Sequence, residues 1–236
     1  MAKKAKAAAP AESMGAAARM ALVEEAVFGA RQAANVPAMR KARQAVSVKL
    51  KAASGEDVRT IGATLARVGQ WWMGYEVIAA HGPALAGISL AEVEALSQGM
   101  ASWEQVDTFG VLLSGAAWAQ GAVSDDDVKR WARSKDLWWR RAALVSTTVL
   151  NAKSRGGKGD AKRTLMICEM LVDDREDMVV KAMSWALRSL APWDAKAVEA
   201  FMAKHEGRLA ARARRETLNK LKTGLKTPKG RVGKKK

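Results

Sequence analysis

Ser102-Trp103-Glu104-Gln105-Val106-Asp107 is written as the opening of a helix. A serine three residues ahead of a glutamine or an acid offers its hydroxyl to backbone N–H groups that a first turn leaves orphaned, and the later side chain reaches back. The same spacing recurs at Ser54-x-x-Asp57, Ser89-x-x-Glu92 and Ser124-x-x-Asp127, each ahead of an apolar run of helical period. Working outward, residues 15–34 repeat Ala, Met, Leu, Val and Phe28 at helical spacing. Pro37 then punctuates, and a basic helix follows with Arg40, Lys41, Arg43, Lys49 and Lys51. Further helices are expected at about 137–151, 160–172, 176–190, 194–204 and 206–221. Neither an alternating β-branched run nor an Asn-Gly hairpin signal separates them. The fold class read from this pattern is all-α.

A faint repeat supports stacked helices. Trp139-Arg140-Arg141-Ala142-Ala143-Leu144 lies over Val179-Val180-Lys181-Ala182-Met183-Ser184 at an offset of 40 residues, close to the roughly 40–47 of HEAT-type units. Helix pairs of that length stack so that the inner helices line a concave surface suited to an elongated partner. A compact helical bundle is the competing architecture.

Charge narrows the partner. Forty Lys and Arg against 24 Asp and Glu give +16 over 236 residues, a balance that attracts nucleic acid or an anionic membrane. Residues 1–12 carry +2 and residues 218–236 carry eight basic and no acidic side chains, which leaves about +6 for the folded body. The expected organisation is a basic flexible tail over 1–14, a folded domain over 15–221 and a Lys-rich flexible tail over 222–236, the last too polar to bury itself. The N-terminus has no sustained apolar stretch, and no run of about 18 apolar residues occurs. Secretion and membrane spanning are therefore not expected. With 49% hydrophobic residues the chain has enough apolar surface to fold.

The single cysteine, Cys168, sits in the apolar run Leu165-Met166-Ile167-Cys168 and reads as a small buried hydrophobe. Neither it nor His81 and His205 has neighbours at zinc-ligand spacing, so no metal is expected. The glycine-rich, basic stretch 154–160 lacks the P-loop order of Gly, Lys and Ser/Thr and reads as a solvated loop, with a phosphate contact as the alternative.

Three helices carry the residues that suggest chemistry. A helix capped by Ser102 projects Trp103 and Asp107 from one face, one turn apart. On the helix from Asp136, Trp138 and Arg141 are three apart. On the helix from Glu176, Lys181, Trp185 and Arg188 share a face. Indoles, cations and one carboxylate could thus converge on a single cleft, although any one tryptophan of an all-α protein is ordinarily a core filler.

The stretches 102–107, 136–144 (Asp-Leu-Trp-Trp-Arg-Arg-Ala-Ala-Leu) and 177–188 (Asp-Met-Val-Val-Lys-Ala-Met-Ser-Trp-Ala-Leu-Arg) resemble, in order and separation, the successive signatures of the AlkD-like DNA alkylation repair family. The ending, with Val198, His205, Arg208 and Arg214-Arg215-Glu216, is similar to that family's terminal repeat. The resemblance covers roughly residues 55–220. It implies a right-handed solenoid of HEAT-like helical repeats with a concave basic DNA-binding face, acting as a monofunctional DNA glycosylase on alkylated purines.

By position, Trp103 and Trp185 match the tryptophans that pack against the damaged nucleotide's deoxyribose, and Asp107 matches the catalytic carboxylate. Arg141 matches the arginine that holds the DNA backbone near the lesion. Trp138, Lys181 and Arg188 are read as further DNA contacts, and Glu76 loosely matches a helix glutamate of an earlier repeat. The partner so implied is double-stranded DNA containing alkylated purines, met by a monomer with no cofactor, metal or membrane. The setting is cytoplasmic in a bacterial-type cell, nucleoid-associated, or otherwise intracellular with DNA.

Few groups are needed for that chemistry. A purine alkylated at N3 or N7 is cationic and departs neutral, so the general acid of an ordinary glycosidase is dispensable. One carboxylate suffices to stabilise the oxocarbenium sugar and orient water. Two rivals stand beside this reading. One is a non-catalytic HEAT-like DNA-binding scaffold, opposed by an uncompensated Asp107 facing a polyanion. The other is a protein-binding solenoid for acidic partners.

Overall fold

The structure, a computed structural model, describes residues 13–228. Most of both expected tails lies outside the described residues. Within them all regular structure is helical and no strand occurs. No helix there is long and apolar enough to cross a membrane. The chain divides into two compact units, Met1–Leu96 and Ser97–Lys236.

The first unit holds α1 (Ala16–Gln32), α2 (Val36–Lys49), α3 (Gly55–Arg67), α4 (Trp71–Ala80), α5 (Gly82–Ala86) and α6 (Leu90–Leu96). Asn35 caps α2 by accepting the Ala38 N–H, and Pro37 falls in the first turn, where its missing N–H costs nothing. Val58, Ile61 and Leu65 of α3 are buried, as are Met73, Val77 and Ile78 of α4, its main packing partner. Ser54 caps α3, and Asp57 becomes a buried junction that takes the Ser54 hydroxyl (2.6 Å), the Met14 N–H (2.9 Å) and Arg19 (2.7 Å). Burial works to raise the Asp57 pKa, but these donors outweigh it and hold the carboxyl below its ordinary range.

The second unit begins with α7 (Trp103–Thr108), which runs through a π-helical segment, Phe109–Ser114, into α8 (Gly115–Gln120). Then come α9 (Asp125–Ala132), α10 (Leu137–Leu150), a single 3₁₀ turn, α11 (Ala161–Met170), α12 (Asp177–Leu190), α13 (Ala195–Lys204) and α14 (Ala211–Thr223). The helices α7, α10, α12 and α14 pack side by side in that order, while α9 and α11 pack behind them and against each other. The two segments of the sequence repeat are thus α10 and α12, neighbours of 14 residues each.

All four expected serine caps are in place. Ser54, Ser89, Ser102 and Ser124 each accept a backbone N–H from three residues on. At Ser124 the reciprocal bond, Ser124 N–H to Asp127 Oδ2 at 2.9 Å, completes the box. One expected boundary is corrected: the last helix starts at Ala211 rather than Glu206. The N–H groups of Arg208 and Leu209 both return to the His205 carbonyl (3.0 and 2.9 Å), which makes a turn that Arg208 ties to Asp173. The stretch 154–160 is a loop whose end is fixed by Asn151, whose Oδ1 accepts the Asp160 N–H at 3.0 Å.

The π segment explains how α7 meets α10. Its wide turn carries a Gly115 N–H to Gly110 carbonyl bond, and it brings two glycines against α10. A Cβ at Gly110 would lie 2.6 Å from Val145 Cγ1, and one at Gly115 would lie 2.8 Å from the Ser146 carbonyl, so only glycine admits this approach. Ser114 and Ser146 share a buried hydroxyl–hydroxyl bond of 2.7 Å at the same contact. Phe109 meets Trp131 at a tilt and the half-buried Trp139 edge-on.

Candidate active site

Ser102 fixes where α7 begins, and so where its first side chain points. The Gln105 N–H reaches Ser102 Oγ (3.3 Å), and Gln105 Oε1 takes the Ala101 N–H (3.0 Å). Trp103 is then the first helical residue, half exposed at 50%. Asp107 follows one turn later with its side chain 19% exposed.

Asp107 is held by Arg141 in a two-pronged pair, Nε to Oδ1 at 2.9 Å and Nη2 to Oδ2 at 2.8 Å. Arg141, buried on α10, also donates from Nη1 to the Met178 carbonyl on α12. One guanidinium thus ties three successive helices together. Burial pushes the Asp107 carboxyl above the ordinary aspartate range, against the opposing hydrogen bonds and charge of Arg141.

In α12, Met178, Lys181, Trp185 and Arg188 fall at spacings of three and four and form one stripe, while Val179, Val180, Ala182, Met183, Ala186 and Leu187 are buried. That stripe lines a cleft of about 290 Å³ together with Trp103, Arg141, Arg212 and Lys226. Two indoles and five cations therefore face one space, with Asp107 immediately behind Arg141.

The far wall is organised by Glu216 of α14, which is only 6% exposed. Its Oε2 accepts the Ser184 hydroxyl at 2.7 Å, and its Oε1 accepts Arg212 Nε at 3.2 Å. Ser184 Oγ in turn accepts Arg188 Nε at 3.0 Å. Burial acts to raise the Glu216 pKa, yet Ser184, Arg212, Lys226 and Arg188 outweigh it and hold the carboxyl below its usual value. Burial lowers the pKa of Arg188, with Glu216 opposing.

Of the residues singled out from the sequence, the structure gathers Trp103, Arg141, Lys181, Trp185 and Arg188 on the cleft, with Asp107 bonded to Arg141. Trp138 is not on the cleft wall. It is half-buried in the first turn of α10, its N–H on Asp136 Oδ1. Glu76 lies in the first unit, 3.0 Å from Arg43 Nε in an ion contact without hydrogen-bond alignment. Asp107 is also not an uncompensated charge, because Arg141 neutralises it.

Sequence reading missed Met178, Arg212, Glu216 and Lys226. Met178 extends the stripe of Lys181, Trp185 and Arg188 by one turn, so periodicity alone would have found it, and Arg212 with Glu216 is a helical i,i+4 pair. Lys226 carries no such signal. Among the described residues no three His, Cys, Asp or Glu side chains come together as a metal site. Cys168 is fully buried, which raises its thiol pKa and leaves it inert.

Comparison with known proteins was made on this basis. No curated protein and no solved structure matches the chain. A family model described as DNA alkylation repair enzyme matches residues 23–221, which include every residue of the cleft except Lys226. The chain belongs to the DNA alkylation repair enzyme family, and its work is in DNA repair.

Proposed function

We propose that the chain is a monofunctional DNA glycosylase that hydrolyses the N-glycosidic bond of N3- or N7-alkylated purines in duplex DNA, without flipping the base from the stack. The observation that carries the reading is the Asp107–Arg141 pair beside a cationic cleft walled by Trp103 and Trp185. The helix pairs are then HEAT-like repeats of a solenoid whose concave basic face takes the duplex. The protein acts as a monomer, and the reaction needs no metal or cofactor.

In the proposed step the C1′–N bond of the cationic nucleotide breaks and its electron pair passes to the purine, which leaves neutral. The sugar becomes oxocarbenium-like, and the oxygen of a water bonds to C1′. The proton of that water passes to Asp107 and on to solvent. Asp107 stabilises the sugar cation electrostatically, and its raised pKa makes it a better transient base than an ordinary aspartate. Trp103 and Trp185, which line the cleft, add cation–π attraction to the same charge, worth on the order of 0.5–2 kcal/mol each. Arg141 stays protonated throughout, orients Asp107 and lines the cleft where the backbone passes.

A non-catalytic DNA scaffold is favoured by one observation, the neutralisation of Asp107 by Arg141, which removes the penalty of a bare carboxylate facing phosphates. Single-turnover release of 7-methylguanine and 3-methyladenine from alkylated duplex, with a chelator present, separates the two. Release by the wild type and not by Asp107→Asn is expected. Tight, salt-dependent binding without release by either would establish the scaffold for these lesions.

A further inference from the structure

Lys226 lies beyond the last helix, in a stretch whose Lys, Gly and Pro content reads as solvated tail, yet local bonds seat it on the cleft. α14 ends at Thr223, and Gly224, with φ +73°, turns the chain through a conformation that favours glycine. Lys220 Nζ donates to the Gly224 carbonyl (2.8 Å), Thr223 Oγ1 accepts the Leu225 N–H (3.2 Å), and Asn219 Nδ2 donates to the Lys226 carbonyl (3.0 Å). The segment so folded back carries Lys226 Nζ to 3.6 Å from Glu216 Oε2.

Glu216 is already shared. It takes Ser184, which holds Arg188, and it pairs with Arg212. Asp177 serves Lys181 (2.6 Å) and Arg212 (3.1 Å). This wall therefore sets four cations, Lys181, Arg188, Arg212 and Lys226, against two carboxylates. Among the described residues, the only hydrogen bond of the half-buried Arg188 is the one to Ser184. A partly desolvated wall with this surplus of positive charge is completed by an anionic ligand.

We infer that Lys226 binds a phosphodiester of the strand seated in the cleft, so that residues 224–228 belong to the nucleic-acid site, with Glu216 as their tether. This rests on the reading that the cleft takes DNA. Among the described C-terminal lysines, Lys226 is then the one that acts at the lesion.

The test is equilibrium binding of the full chain, across a salt series, to an undamaged duplex and to one carrying a tetrahydrofuran abasic analogue. Lys226→Met is expected to lower affinity for the analogue severalfold, more than for undamaged duplex, and to reduce the salt slope by about one. Lys226→Arg should keep both properties. A chain ending at Pro228 should lose affinity for the two duplexes equally, and thus keep the wild-type preference. Unchanged analogue affinity and slope in Lys226→Met, with wild type binding normally, would overturn the inference alone. Absence of salt-dependent duplex binding by the wild type would instead bring down the DNA reading of the cleft, and this inference with it.

Discussion

Asp107 and Glu216 are both carboxylates withdrawn from water and bonded to residues that line the same cleft, and their pKa values shift in opposite directions. For each, burial is the largest influence and favours the neutral acid. Asp107 has one cation against it, Arg141, and its pKa stays raised. Glu216 has the Ser184 hydroxyl, Arg212, Lys226 and, through Ser184, Arg188, and its pKa is lowered. The balance of burial against partners separates them. A carboxylate with a single partner retains basicity for chemistry, while one with several becomes a fixed counter-charge.

Substitution of the two acids tests the contrast most strongly. Asp107→Asn should cut single-turnover base release by roughly 10²–10³-fold or more while leaving duplex affinity intact or improved. Glu216→Gln should leave the chemical rate within a few fold but destabilise the fold by about 1.5–3 kcal/mol, the scale of a hydrogen bond to a charged group, read as a lower denaturant midpoint. If Glu216→Gln instead abolished release with unchanged stability, the roles assigned here would be reversed.

The aromatic wall comes next. Trp185→Ala and Trp103→Ala should each slow excision by roughly 2–30-fold, the equivalent of 0.5–2 kcal/mol, and reduce binding to undamaged duplex less. Equal losses in both measurements would make the indoles packing groups.

The smallest effect, obtained without mutation, is a separation of two acid limbs. Asp107 must be ionised to act, and its raised pKa means activity fades on acidification at a pH above the ordinary aspartate range. Because folding favours its neutral form, Asp107 adds stability below its unfolded pKa and loses that contribution as pH rises through the folded value. The sign for Glu216 is opposite: its contribution is present above the unfolded pKa and disappears only as pH falls through its lowered folded value. The rate should therefore drop before the fold does, as measured by excision and circular dichroism on one pH series. Coincident limbs would mean that the two carboxylates titrate alike.

Much of this was legible in the chain because it is local. A serine cap reads three residues ahead, and the stripe of Lys181, Trp185 and Arg188 is a statement about one helix. What stayed illegible is what joins distant positions. The bond between Asp107 and Arg141 spans 34 residues, so the sequence offered a bare carboxylate where the fold supplies a paired one. Trp138 and Arg141 share a helical face, yet only Arg141 lines the cleft. Lys226 was hidden because a lysine near glycine and proline looks the same whether it is solvated or folded back.

The π turn after α7 makes the candidate site a matter of reading frame along a helix. Trp103 and Asp107 stand before it and Gly115 after it, and the turn sets the rotation between them. Loss of one residue within Phe109–Ser114 would let the segment close as ordinary α-helix, with composition and apolar content almost unchanged. The Trp103–Asp107 face would then swing by about 100° relative to α8, the angle of one α-helical residue. A single lost codon there, sparing Trp103, Asp107 and Arg141, is thus a short route from this protein to a folded descendant with its carboxylate turned away from Arg141.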